Sequence, residues 1–328
     1  MNPRVSVLIP TCANAVRTPL LWRALDSLLR GQDGLVLPIV AVNGSSFVPE
    51  VLDELRRRRD IRCLYVEQAG TTRARLAARE VVDTEFFGML DDDDEYLPGG
   101  IKTQIGPFAV DPSIDVVVTN GLRRENGRDV LHFPAFSTFA RNPLNSLMEW
   151  SWLNSGGALC RSDTVPPTYL EAPRSMELTY MALKMTLSRK LHFLDAPTYR
   201  WYVDGPEHLS KSKYYVEGAP EGICRMMDLN PPLRVKRRLA RKYAASLHFL
   251  SDWERIDGNY RAAWRYHLKS LSSIYGIKYL PYTRHLLRLR AKTTAEFRAA
   301  QRSRGKGMVE AAGIEPASAS PSQSGLHT

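Results

Sequence analysis

The sequence predicts an α/β fold, with a mixed, mainly parallel sheet between helices and a C-terminal basic α-helical subdomain. Three observations predict it. Short apolar runs alternate with amphipathic helical segments as far as residue 119, as in βαβ units. Beyond that point the pattern turns hairpin-like, so the later strands are expected to be partly antiparallel. Past Pro231-Pro232 the chain becomes strongly basic and helical.

Taken in order, Val5–Ile9 reads as a strand and Leu20–Leu29 as a helix with apolar residues at helical spacing. Leu37–Val42, Ile61–Val66 and Glu85–Leu90 are the next strands, with helices over Pro49–Arg58 and Thr71–Val82. A helix across Gly100–Ala109 precedes the strand Ile114–Thr119. Asn126-Gly127, within Arg123–Phe133, signals a tight hairpin. Ala158-Leu159-Cys160 forms a short strand, Met176–Leu187 an amphipathic helix, and Leu191–Leu194 and Thr198–Tyr202 two further strands. Basic amphipathic helices are expected over Leu233–Leu250, Tyr260–Tyr275 and Tyr279–Ala291. The domains are then 1–230, with a ligand-binding half 1–98 and an acceptor half 99–230, a basic helical subdomain 231–308, and a disordered tail 309–328 rich in Ala, Ser and Pro.

Composition narrows the class. A chain of 328 residues has ample core for one large α/β domain and an appendage. Its longest apolar run is far short of the roughly 18 residues that span a bilayer. Met1-Asn2-Pro3-Arg4 leads straight into a strand, which predicts no leader peptide and a cytoplasmic protein. The four cysteines are far apart and form no C-x-x-C pair, which argues for reduced thiols and against zinc. The net charge of +10 is unevenly spread. Residues 1–232 hold slightly more acid than base, whereas 233–308 carry 19 Lys and Arg against 4 Asp and Glu.

The chemistry is expected at Asp91-Asp92-Asp93-Asp94-Glu95, directly behind the apolar strand ending in Leu90. Carboxylates crowded at a strand's C-terminal end repel one another unless a hard divalent cation holds them. Ligands of open α/β sheets also bind outside the carboxyl ends of the strands. Magnesium shares its coordination between carboxylates and substrate phosphates, so a metal-assisted reaction on a phosphorylated substrate is indicated. A solvated acidic turn is the alternative reading. A calcium-binding loop is disfavoured, because Glu95 and Tyr96 stand at the third ligand and glycine places.

Val5-Ser6-Val7-Leu8-Ile9-Pro10-Thr11, Val40-Ala41-Val42-Asn43-Gly44-Ser45, Gly70-Thr71-Thr72-Arg73-Ala74-Arg75 and Glu85–Pro98 together resemble the family 2 glycosyltransferases. The resemblance runs over about residues 4–210 and is specific for 4–98. It implies the GT-A fold, a Rossmann-like sheet between helices. It further implies metal-dependent transfer of a sugar, with inversion, from a nucleotide-sugar to a hydroxyl of a glycan or lipid-linked acceptor. Asp93 would be the direct ligand of Mn²⁺ or Mg²⁺, and Asp91 would face the ribose and the metal's waters, with Asp92 and Asp94 as second choices. Arg73 and Arg75 are candidates for a clamp on the diphosphate. Pro10 and Thr11 would line the nucleotide pocket, and Asn43 would meet the base. Asn43 stands where the family commonly has Asp, so the base is open between uridine and others, with a UDP-sugar foremost.

An inverting transfer needs a carboxylate to accept the proton of the attacking hydroxyl. Glu177 matches the Glu of the family's Glu-Asp pair, but Leu178 replaces the Asp, and a helix-capping role for this first turn competes. Asp163 and Asp204 are alternatives. Trp152, Gly156, Gly157, Asp204 and His208 are assigned to the acceptor side, although one tryptophan of the Trp150/Trp152 pair could equally be core. The basic helices 233–308 suit an anionic membrane surface on the inner face, beside a lipid-linked acceptor, better than nucleic acid, for which no motif is present; a helical cap on the acidic body with a solvated basic face is the alternative. A catalytically silent sugar-nucleotide or glycan-binding protein and a metal-dependent nucleotidyltransferase are the competing functions. The latter lacks a glycine in Thr11–Pro19.

Overall fold

The computed structural model of the chain describes residues 3–203 and 212–287. Two compact units emerge, Met1–Leu144 with Trp152–Glu207, and Asn145–Ser151 with His208–Thr328.

The first unit is built on a sheet of β1 (Val5–Thr11), β2 (Val36–Asn43), β3 (Arg62–Val66), β4 (Phe86–Met89), β5 (Glu95–Tyr96), β6 (Val116–Glu125), β7 (Arg128–Leu131), β8 (Ala158–Arg161) and β9 (Leu191–Tyr202). Their spatial order is β3-β2-β1-β4-β8-β6-β9-β5, with β7 paired to β6. The pairs β1/β2, β2/β3 and β1/β4 are parallel, and β4/β8, β6/β8 and β5/β9 antiparallel. The helices are α1 (Thr18–Leu29), α2 (Pro49–Arg57), α3 (Thr71–Glu80), α4 (Gly100–Val110) and α6 (Glu177–Ser188), while α5 (Pro143–Glu149) spans the division between the units. The expected mixed, mainly parallel sheet is therefore present. Every residue of β1 is buried, which is why it reads as a near-continuous apolar run rather than an alternating one. Its Val5, Val7 and Ile9 share one core with Leu21, Leu25 and Leu28 of α1 and Leu52 and Leu55 of α2.

Two local features differ from the sequence reading. The segments 191–194 and 198–202 form one strand, because β9 runs parallel to β6 through a register shift at Thr119–Gly121. Pro197, which has no N–H to donate, lies at that irregularity opposite Asn120. The hairpin turn is as predicted, with Asn126 and Gly127 both at positive φ.

The second unit contains α7 (Lys213–Asp228), α8 (Leu233–Ile256), α9 (Tyr260–Leu271), a 3-10 turn Ile277–Tyr282 and α10 (Thr283–Leu287). The sequence reading missed α7, and the boundary expected at residue 230 falls inside this unit. Val216 of α7 packs with Leu250 and Trp253 of α8, so the Pro231-Pro232 pair joins two packed helices instead of separating domains. The third expected helix begins as the 3-10 turn around Pro281. Its residues 288–291, the rest of the subdomain to 308 and the tail 309–328 lie outside the described residues.

Candidate active site

The C-terminal ends of β1, β2 and β4 lie side by side and present Thr11, Asn43 and the turn Asp91–Asp94 at one edge of the sheet. Because β8 runs antiparallel to β4, its leading residues return to the same edge, and Gly156 N–H donates to the Met89 carbonyl at 2.6 Å. The N-termini of α3 and α6 supply Arg75 and Glu177.

Within the acidic run, Asp91, Asp93 and Asp94 each offer a carboxylate oxygen, all within 4.8 Å of one another. Burial is the main reason Asp94 titrates well above the usual carboxylate range, with Asp93 and Asp91 adding like-charge repulsion. Asp93 is raised for the same two reasons, burial and then Asp91. Three convergent hard oxygens that repel one another fit a divalent cation such as Mg²⁺ or Mn²⁺. Asp92 turns elsewhere. It is buried, accepts from the Thr11 hydroxyl at 2.6 Å and is paired with Arg17. The donor contact expected of Asp92 is thus replaced by a brace between the β4 turn and β1.

Arginines neutralise the run. Arg17, at the start of α1, contacts Asp92 and reaches Asp93 at 3.0 Å. Burial alone would lower its pKa, but the two carboxylates prevail and raise it, so it stays charged. Arg23 contacts the Asp93 carbonyl and Glu95, and Arg200 reaches Glu95 at 2.7 Å. Arg75, only 3% exposed, donates to Asp91 and, at 3.1 Å, to Glu177. Ser155 Oγ also donates to Asp91 at 3.1 Å. Arg73, two residues from Arg75, points to solvent, because α3 buries the face that carries Ala74, Arg75 and Ala78.

Glu177 is the first residue of α6, where the helix dipole favours a carboxylate. Burial nevertheless raises its pKa, with Arg75 opposing. The N-cap is Met176 at φ 62°, and Ser175 is buried with its hydroxyl unpartnered among the described residues, so that hydroxyl does not cap the helix.

Several assignments are corrected. Trp152 is fully buried and donates to the Pro143 carbonyl at 3.0 Å, so it belongs to the core and has no face for a sugar. Gly156 and Gly157 are packing residues. Gly156 has φ +82°, and a Cβ there would lie 2.8 Å from Tyr199 Cβ, while one at Gly157 would meet the same ring at 3.1 Å. Asn43 donates to the Thr11 carbonyl and accepts from Gly70 N–H, both at 2.9 Å, so its amide ties β1, β2 and the start of α3 together instead of facing a base. Pro10 is buried in β1, and Thr11 spends its hydroxyl on Asp92. Asp204 and His208 lie outside the described residues. Sequence reasoning missed Arg17 as a partner of the run, and also the trio His132, Asn154 and Tyr199. Asn154 donates to His132 Nδ1 at 2.8 Å and to the Tyr199 hydroxyl at 3.0 Å. Only the position of Asn154 in front of Ser155-Gly156-Gly157 hinted at it.

Comparison with known proteins bears on the fold and the family. Residues 6–154 match the family model described as glycosyl transferase family 2. No curated protein matches the chain. Among solved structures, S. aureus TarS residues 1–349 in complex with UDP-GlcNAc aligns with TM-score 0.55 and 15% identity over 95% of this chain and 90% of that one. A structure of S. aureus TarS aligns with TM-score 0.53 and 15% identity, and 54% of that chain is covered. Residues 6–154 are therefore similar to glycosyl transferase family 2, and the chain shares the GT-A fold.

Proposed function

We propose that the protein is a metal-dependent, inverting enzyme that moves a sugar from a UDP-sugar to a hydroxyl of a glycan or lipid-linked acceptor. The observation that carries this reading is Arg75, which joins Asp91 of the carboxylate cluster to Glu177. One buried cation thereby couples the place where diphosphate would leave to the group that would accept the acceptor's proton. The UDP-GlcNAc complex of the TarS fragment supports a UDP-sugar donor.

Asp91, Asp93 and Asp94 would hold Mn²⁺ or Mg²⁺, which when bound supplies Lewis-acid stabilisation and a template for the diphosphate. Glu177 takes the proton from the acceptor hydroxyl as that oxygen attacks the anomeric carbon and the bond to the diphosphate breaks. Its raised pKa brings it nearer to neutrality, which suits a general base. Arg75 orients Glu177, and the guanidinium groups of Arg75 and Arg17 add fixed positive charge beside the departing group. Ser155 and Thr11 hold Asp91 and Asp92 in place. The second unit, with its basic excess, is proposed to hold the enzyme on an anionic membrane surface near a lipid-linked acceptor. Among the described residues no helix is long and apolar enough to cross a membrane.

The test is a thermal-shift panel of UDP-, GDP-, dTDP- and CDP-sugars with and without Mn²⁺. Stabilisation by a UDP-sugar that depends on metal is expected. If no sugar nucleotide stabilises the protein under either condition, the donor reading is wrong. Leu178, which stands where the family has an acid, favours a second reading as a silent binder. Nucleotide binding without hydrolysis or transfer of the donor would establish that reading.

A further inference from the structure

The helix that the sequence offers most plainly to a membrane is α8, with basic residues set around an apolar stripe. In the structure that stripe is used up, since Val235, Leu239, Leu247 and Leu250 of α8 are all buried. Apart from Leu233 at the start of α8, the large aliphatic side chains that the second unit leaves in solvent lie further along the chain. Leu268, Ile274, Ile277, Leu280 and Leu287 are 57–77% exposed, although Leu and Ile are ordinarily among the most buried residues. They lie on α9, the following turn, the 3-10 turn 277–282 and α10, which pack on one another. Ile277 and Leu280, three residues apart in a 3-10 turn, project from the same side.

The charge of this stretch is as one-sided as its exposure. Residues 260–287 contain five Lys and Arg (Arg261, Arg265, Lys269, Lys278 and Arg284) and no Asp or Glu. All five are exposed, and among the described residues none forms an ion pair with a carboxylate. On α9, Arg261, Arg265, Leu268 and Lys269 share the solvent face at helical spacing. A second copy of the chain fits this patch poorly, because a two-fold interface would set five cations against five. Nucleic acid would satisfy the cations but leave the aliphatic side chains in water. A bilayer with anionic headgroups satisfies both, with the aliphatic side chains at the acyl boundary and the cations at the phosphates.

We propose that residues 268–287, with the exposed face of α9, are the membrane-docking surface of this protein, and that its ligand is an anionic phospholipid bilayer. The inference rests on the membrane reading of the second unit and assigns it to particular residues in place of α8.

Co-sedimentation of the full chain with vesicles of phosphatidylcholine, or of phosphatidylcholine mixed with phosphatidylglycerol, tests it. Wild type should bind the mixed vesicles, bind pure phosphatidylcholine far more weakly, and release with salt. Ile274→Ser/Ile277→Ser/Leu280→Ser should weaken binding by about tenfold or more. Lys269→Gln/Lys278→Gln/Arg284→Gln should weaken it by about a hundredfold, from roughly fivefold per charge. The α8 control Arg234→Gln/Lys236→Gln/Arg237→Gln, on exposed residues, should weaken it less than either. Unchanged circular dichroism and Tm in each variant would show that the fold is kept, as expected for exposed positions. If wild type binds the mixed vesicles and only the α8 control loses binding, the membrane reading stands and the patch assignment falls. If wild type ignores the mixed vesicles, both fall. If light scattering shows that the wild-type chain self-associates and the aliphatic variant does not, while vesicle binding is equal in both, the face is a protein interface and the proposal is overturned.

Discussion

The acidic run Asp91–Glu95 and the basic stretch 260–287 are both dense in one sign of charge, yet the fold treats them in opposite ways. Each carboxylate of the first has a protein partner, from Arg75 on Asp91 to Arg200 on Glu95, and Asp92 and Asp94 are buried. Each cation of the second faces solvent beside exposed aliphatic side chains. A buried charge is tolerable only when it is compensated, so the first run must have been built together with its arginines. An exposed charge needs no partner inside the protein. Charge density in a sequence is thus ambiguous by itself, and burial decides between an internal site and an external surface.

The sharpest way to break this contrast is Asp93→Asn. It should cut kcat by about 10²–10³-fold or more, the scale of losing one transition-state electrostatic contact. Its Tm should hold or rise, because one member of a repelling trio is neutralised. Full turnover in that variant would remove Asp93 from the catalytic machinery. Arg75→Ala should come next. Leaving Asp91 and Glu177 without their shared cation should cost about 3–5 kcal/mol in denaturant unfolding, together with most activity. A loss under about 1 kcal/mol would show that the link contributes little to stability. Gly156→Ala tests the wall of the site without touching a charge. The positive φ and the approach to Tyr199 predict a destabilisation of about 1–3 kcal/mol.

A gentler probe uses pH. Asp93, Asp94 and Glu177 have folded-state pKa values raised chiefly by burial. A raised pKa contributes stability that is fully present below the unfolded value and is lost as pH rises through the folded one. Stability from these three groups therefore falls as pH climbs out of the carboxylate range, and a cation bound to the ionised cluster should restore it. The rise in Tm produced by Mn²⁺ should be larger at neutral pH than at about pH 5. Equal shifts at both would place the ion elsewhere. The smallest effect is expected from Arg73→Ala. Exposed and two residues from Arg75, it should change stability by less than about 0.5 kcal/mol and kcat little. A large kcat loss there would restore its part in a diphosphate clamp.

Which residues would matter was partly legible. The carboxylates are legible from their place behind a strand and Arg75 from its place at a helix start, whereas Glu177 comes from the family resemblance; the structure gathers them at one edge of the sheet. The family match ends at residue 154 and does not reach Glu177. Legibility failed where a side chain has two uses of equal sequence signature. Trp152 and Gly156 resemble ligand-facing residues, but they fill and permit tight packing around Phe193 and Tyr199. Asn43 resembles a base contact, but both ends of its amide are taken by backbone groups. Arg17 gives no local signal, because its partners lie more than seventy residues away.

The sequence by itself determined the order of strands and helices in the first unit, the parallel start of the sheet, the Asn126-Gly127 turn and the location of the carboxylates. These follow from local periodicity and turn chemistry, which act over a few residues and need no partner. Tertiary structure alone decided which acid of the run faces the cluster, which arginine each one meets, that α7 packs with α8, and that α8 buries its apolar stripe while residues 268–287 expose theirs. All of these depend on contacts between residues far apart in the chain. Whether a charge or an aliphatic side chain ends in water or in the interior is fixed only when the surrounding elements have packed.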